Sequence, residues 1–163
     1  MTRIRWWMLA LVFFATTINY LDRIVFSVLI PVIRQEMHLS DKQYGYVNGA
    51  FMICYTAGFL LMGRFIDRYG TRIGYAVAIV WWSVAACCHA LARGALGLGF
   101  WRGMLGLGEA GNFPAAIKSV AEWFPKKDRA LATGIFNAGT NVASMVGPPV
   151  FAWMVVHVGW RSC

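Results

Sequence analysis

The sequence predicts an all-α transmembrane bundle, and three observations predict it. First, 59% of the 163 residues are apolar and only 13% are charged, against roughly 25% charge in soluble domains. Second, the apolar residues fall into five runs, each long enough for a spanning helix of ~20 residues. Third, the basic residues gather in short clusters between those runs. Mean hydropathy is +0.56, and eight Trp, eleven Phe and six Tyr suit a chain that meets both lipid and its interface. The net charge of +8 comes from the clusters and not from a basic stripe on a polar domain. A lipid bilayer is therefore the expected surroundings, and nucleic acid is not an expected partner.

The first run covers about 6–33. Arg3 and Arg5 precede it as they would precede a signal peptide, but no small-x-small cleavage site follows, so a retained first span is expected. Asn19-Tyr20-Leu21-Asp22-Arg23 interrupts it with two adjacent charges. A charge at that depth costs about 2.5–3.5 kcal/mol by insertion scales and marks a pathway or site. The second, third, fourth and fifth runs cover about 44–62, 73–92, 96–122 and 130–156, joined by 34–43, 63–72, 93–95 and 123–129. The first, fourth and fifth exceed the minimum, so tilt or extension beyond the lipid is expected.

Charge placement sets the orientation. Arg3, Arg5, Arg64, Arg68, Arg72, Lys126, Lys127 and Arg129 fall on one side, and Lys118 adds to it. Arg34, Lys42, Arg93 and Arg161 fall on the other. The positive-inside rule then puts the N-terminus in the cytoplasm. After five spans the chain reaches Gly159-Trp160-Arg161, where a short loop into a sixth helix is expected, so the chain reads as an N-terminal piece of a longer protein.

Cys54, Cys87 and Cys88 lie inside apolar runs and Cys163 is last, which gives neither metal spacing nor a disulfide framework. They read as small apolar residues. No nucleophile, metal cluster or phosphate loop is visible, so no enzyme, metal or cofactor is expected. His89 and His157 fall near outer helix ends and His38 in an outer loop, all read as interfacial. Gly103, Gly106, Gly108, Gly111, Gly134, Gly139 and Gly147 read as close-packing positions between helices.

Polar stripes are the next signal. On the first helix Thr16, Asn19, Tyr20, Arg23 and Ser27 recur at three-to-four-residue spacing on one face. On the fifth span Thr133, Asn137, Thr140, Asn141 and Ser144 do the same, and on the second Tyr44, Asn48 and Tyr55 align less completely. Such stripes face protein or water. The bland alternative is interhelical hydrogen bonding, about 0.6 kcal/mol per contact. Arg102 and Glu109 lie seven residues apart, which returns to within about 20° of the same helix face, and Asn112 lies one turn further. Desolvation favours a neutral carboxyl and a nearby cation favours its ion. Glu109 is thus a candidate to exchange a proton as its distance from an Arg changes, and Asp22 is another. The competing reading makes Asp22–Arg23 and Arg102–Glu109 static ion pairs.

The segment Gly63-Arg64-Phe65-Ile66-Asp67-Arg68-Tyr69-Gly70-Thr71-Arg72 has the spacing G-x-x-x-D-R-x-G-x-R, with glycines suited to a tight turn and an Asp67 able to cap or pair across to a neighbouring helix end. It resembles the loop between the second and third helices of the major facilitator superfamily, with Thr71 departing where a basic residue is common. Asn19-Tyr20-Leu21-Asp22-Arg23, Arg102 with Gly106-Leu107-Gly108-Glu109-Ala110, Asn112-Phe113-Pro114-Ala115 and Glu122-Trp123-Phe124-Pro125 further resemble its anion:cation symporter family, which includes hexuronate and galactonate transporters. The resemblance implies five of twelve helices, within a partial N-terminal six-helix bundle spanning 1–163. It also implies proton-coupled uptake of an organic anion, foremost a sugar acid, by alternating access at the bacterial inner membrane.

The site residues follow from that resemblance. Arg23 is the expected carboxylate anchor, with Asn19, Tyr20, Tyr55, Asn137, Thr140 and Asn141 reading the rest of the substrate. Asp22, Glu109 and Arg102 are expected in proton coupling. Gly63, Asp67, Arg68, Gly70 and Arg72 form the expected conformational loop. The expected partners are a small organic anion, protons, and a C-terminal half without which residues 1–163 alone should not transport. Arg72-Ile73-Gly74-Tyr75-Ala76 and Phe136-Asn137-Ala138-Gly139 tilt the resemblance towards hexuronate over aldonate. The alternatives are a truncated, non-transporting membrane component, or a transporter of the same superfamily for a neutral sugar or drug.

Overall fold

A computed structural model describes residues 2–159. Trp160, Arg161 and Cys163, with the expected loop into a sixth helix, lie outside the described residues. Six α-helices follow one another with no strand among the described residues: α1 (Thr2–Met37), α2 (Asp41–Tyr69), α3 (Thr71–Cys88), α4 (Ala95–Glu109), α5 (Asn112–Trp123) and α6 (Arg129–Val158). Single 3-10 turns at His89–Leu91 and Lys126–Asp128 extend α3 and precede α6. α1 packs along α6, α2 along α4, and α3 against α4 and α5.

The helix ends have local causes. Ser40 opens α2 with a capping box: its side chain accepts from the Gln43 N–H, and the Gln43 side chain accepts from the Ser40 N–H at 2.9 Å. Asp41 in that first turn suits the positive end of the helix and pairs with Arg34 from the end of α1. At the far end α2 runs on to Tyr69, so the expected 63–72 connection shrinks to Gly70 alone. Gly70 sits at φ 84°, a left-handed conformation that disfavours a side chain, and its N–H bonds to the Ile66 carbonyl. Gly63 lies inside the helix and makes no turn. Arg129 closes α5 by donating to the Phe124 carbonyl at 3.0 Å and the Ala121 carbonyl at 2.6 Å.

The expected single span over 96–122 is interrupted by a turn. It breaks at Ala110–Gly111 into α4 and α5, of 15 and 12 residues. Both linking residues keep a right-handed helical backbone, Ala110 at φ −58° and Gly111 at φ −75°, so α5 follows α4 through a tight turn. Pro114 explains part of the break. It falls in the first turn of α5, where its missing N–H costs nothing. Among the described residues three helices are long and apolar enough to cross a membrane: Arg3–Met37, Asp41–Tyr69 and Thr71–Leu91. The chain is thus a multi-pass membrane protein.

Three apolar clusters hold the bundle. One joins Phe26, Leu29 and Ile33 of α1 to Val47 and Leu98. A second joins Leu9 and Val12 to Val120, Phe124 and Phe136, and a third packs Phe51, Ala78 and Trp82 around Leu105. α4 reaches α2 so closely that a Cβ on Gly106 would sit 2.7 Å from the Phe51 carbonyl oxygen and 3.2 Å from the Tyr55 nitrogen. Both neighbours are backbone and cannot swing aside. Gly106→Ala is expected to cost about 1–3 kcal/mol as an overpacked site, read as a lower unfolding midpoint of the purified protein in detergent.

Candidate functional site

Among the described residues six polar or charged side chains are buried in this apolar interior: Thr16, Asn19, Arg102, Glu109, Asn112 and Ser119. Their positions follow from the break between α4 and α5, which brings Glu109, the last residue of one helix, close to Asn112, the first of the next. Glu109 is fully buried, and Arg23 reaches it from α1, the guanidinium Nε donating to Oε2 at 2.6 Å. Arg23 also donates from Nη2 to the Asn19 side-chain oxygen at 3.5 Å. Its guanidinium lies 4.4 Å from the Tyr55 ring centre and 5.2 Å from that of Tyr20, a cation–π setting that supports the charge on its faces.

The competing reading of two static pairs does not match these partners. Asp22 and Arg23 are consecutive on a helix and point about 100° apart. Arg102 and Glu109 share a face but are separated by about 10 Å along the axis, so the cation from α1 reaches Glu109 first. Arg102, 4% exposed, makes no ion pair within 4.0 Å among the described residues. Its guanidinium rests instead 4.0 Å from the Phe26 ring centre and 4.6 Å from Phe51. Among the described residues its Nε has no hydrogen-bond partner, and neither have Glu109 Oε1 and Asn19 Nδ2.

Asp22 faces elsewhere. With Arg102, Phe26, Ser83, Cys87 and His89 it lines a cavity of about 540 Å³ between α1, α3 and α4. His89 is half-buried there, its Nδ1 2.8 Å from the Ala85 carbonyl oxygen, and so faces the interior as well as the helix end.

The α6 stripe does not join the cluster. Thr140 donates to the Asn137 carbonyl at 2.8 Å and Ser144 to the Thr140 carbonyl at 2.9 Å, both within their own helix, while Asn141 is exposed. No hydrogen bond among the described residues links Asn137, Thr140 or Asn141 to Arg23. At the other end of the bundle the loop residues fall near α5. Asp67 accepts from Lys118 Nζ at 2.8 Å, and the same ammonium reaches the Ile66 carbonyl at 3.2 Å. Across Gly70, Thr71 donates to Glu122 at 2.6 Å. Arg68 lies 6.0 Å from the Tyr69 ring centre, and Arg72 is exposed.

Sequence reading missed Phe26 and Phe51 as supports of the buried cations, because no spacing tells which aromatic residue of a neighbouring helix meets an Arg. It also missed Tyr75, which donates to the Asn112 side-chain oxygen at 2.7 Å.

A multi-pass helical bundle that buries guanidinium and carboxylate groups together in its interior suits the class of membrane transport proteins, where such groups line pathways and sites. The chain belongs to the Major Facilitator Superfamily, whose family profile matches residues 12–163. It is 38% identical to the hexuronate transporter of Escherichia coli (strain K12), over 97% of this chain and 37% of that protein. It is 35% identical to the galacturonate transporter of Dickeya chrysanthemi, over 97% of this chain and 46% of that protein. With the D-galactonate transporter of Escherichia coli O6:H1 it shares 34% identity, over 98% of this chain and 37% of that protein. The chain thus spans less than half the length of these curated relatives. Its fold superposes on a bacterial homologue of the human lysosomal transporter Spinster, in the inward-facing and unoccupied conformation, with a TM-score of 0.78 at 23% identity. That match covers 96% of this chain and 37% of the other. The curated relatives named here are transporters by name.

Proposed function

We propose that residues 1–163 form part of the N-terminal half of a proton-coupled symporter that imports a sugar acid anion, foremost a hexuronate, by alternating access. Its place is the bacterial inner membrane, with the N-terminus in the cytoplasm and a C-terminal half as the facing wall of the site. One observation carries the reading: Arg23, whose fork suits a planar carboxylate, is held by the fully buried Glu109 and framed by Tyr20 and Tyr55. Two carboxylates compete for one guanidinium. When Glu109 takes a proton it releases Arg23, and the substrate carboxylate takes its place. Loss of that proton returns Glu109 to Arg23 and expels the anion. Proton and anion are thereby bound together. The relatives that transport hexuronate, galacturonate and galactonate support the substrate class.

The test is uptake of labelled galacturonate into vesicles under an inward proton gradient, with the intact transporter and residues 1–163 side by side. Uptake by the intact protein alone, collapsed by an uncoupler, is the expected result. Uptake unaffected by the uncoupler would remove proton coupling. Uptake by residues 1–163 alone would remove the need for a second half.

A further inference from the structure

The buried contact between α1 and the α4–α5 break has two rungs. One is Arg23–Glu109. The other is Asn112 at the start of α5, whose amide nitrogen donates to the Thr16 hydroxyl at 3.3 Å. Thr16 lies seven residues before Arg23 on α1, and Asn112 three residues after Glu109 across the break. Both rungs therefore fix the same short, interrupted segment against the same helix. Asn112 and Thr16 are each fully buried, where an amide left without partners is costly. The remaining acceptor of that amide is filled from a third helix, by the Tyr75 hydroxyl of α3 at 2.7 Å. One side chain thus joins α1, α3 and the break.

We infer that Asn112 is a positioning residue that seats the Glu109 carboxylate on Arg23, and that Tyr75 couples that seat to α3. The inference gives the reading of Glu109 as the proton-exchanging carboxylate its mechanical support. Ala110 and Gly111 form the turn between the two rungs, and the end of α4 packs there on α2 and α3, so Arg23 and Asn112 are the polar contacts that set this segment against α1. The seat itself is left under-satisfied: Glu109 Oε1 and Asn19 Nδ2 have no hydrogen-bond partner among the described residues. A segment held this way is fixed by Asn112 and can still release its carboxylate. Movement of α3 reaches Glu109 through Tyr75 and Asn112 without touching the substrate.

Carbodiimide labelling of carboxyl groups, read by mass spectrometry on the protein in lipid nanodiscs, tests this independently of transport. The reagent attacks a protonated carboxyl and spares one held as an ion by a guanidinium. Asn112→Ala and Tyr75→Phe are expected to raise labelling of Glu109 about threefold or more, the factor that one net buried hydrogen bond carries, with Asp22 unchanged. Thr16→Ser, which keeps the hydroxyl, and Ser119→Ala, buried on α5 outside the chain of contacts, should behave as the parent. A rise shared by Glu109 and Asp22 would mean general loosening and would overturn the proposal, as would an unchanged Glu109. Tyr75→Phe loses only one oxygen, so it decides the matter even where Asn112→Ala fails to fold. Should galacturonate uptake fail in the parent while the labelling pattern holds, the transport reading falls and the positioning role stands.

Discussion

Arg23→Ala is expected to abolish uptake of a sugar acid and to destabilise the bundle at once. The two effects have one origin. Glu109 is fully buried, and Arg23 is its partner at 2.6 Å, so removing the cation leaves a carboxylate in an apolar interior. Breaking a buried pair from one side costs about 3–5 kcal/mol. Three measurements separate the roles. Arg23→Ala should lower the unfolding midpoint and reduce anion uptake by about a hundredfold or more, the factor for about 3 kcal/mol. Arg23→Ala with Glu109→Gln should recover much of the stability, because the orphaned charge is gone, and recover no uptake. Arg23→Lys should restore stability in part and uptake poorly, since an ammonium lacks the planar fork and the stacking on Tyr55 and Tyr20. Recovery of uptake in the double variant would show that the substrate does not need the guanidinium.

Glu109→Gln carries the second large effect. Gln has nearly the shape of Glu and keeps an oxygen for Arg23, but it takes up and gives off no proton. The variant should fold. It should lose accumulation of the anion against its own gradient when a proton gradient is the sole energy source. Exchange of labelled anion for unlabelled anion across the vesicle should survive, because exchange needs binding and alternation but no net proton movement. Retained proton-driven accumulation would move the coupling carboxylate elsewhere, with Asp22 first in line, since it lines the cavity that also holds Arg102 and His89.

The extent to which this arrangement was legible in sequence differs from residue to residue. The five apolar runs required only composition and length, and the charges within the first run already marked an interior site. Heptad arithmetic put Arg102 and Glu109 on one face, but a face is not a partner: Arg23, eighty-six residues away, was decided by how α1 meets the break in the fourth span. That break left a trace. Gly111 followed by Asn112 and Pro114 is a helix restart, and apolarity on both sides concealed it. The segment 63–72 misled in the opposite direction, since its two glycines look alike in sequence, and the structure uses only Gly70 as the turn. Polar periodicity on α6 was real, yet Thr140 and Ser144 turn back to their own helix, an option open to any Ser or Thr. Periodicity cannot tell that from a substrate-facing stripe.

The interior of the bundle holds Arg23 and Arg102 against Asp22 and Glu109, two formal positive charges against two negative. With these four groups ionised this part of the interior is neutral, and it stays neutral when one monovalent anion and one proton enter together. Membrane voltage acts on a moving charge at about 2.3 kcal/mol per 100 mV, so it would do no work on that loaded form. A second proton would change this, making the loaded form positive and drawing it inward. The four side chains therefore turn stoichiometry into an electrical quantity: a potassium diffusion potential, imposed at equal pH on both sides, accelerates galacturonate entry only if more than one proton travels with each anion.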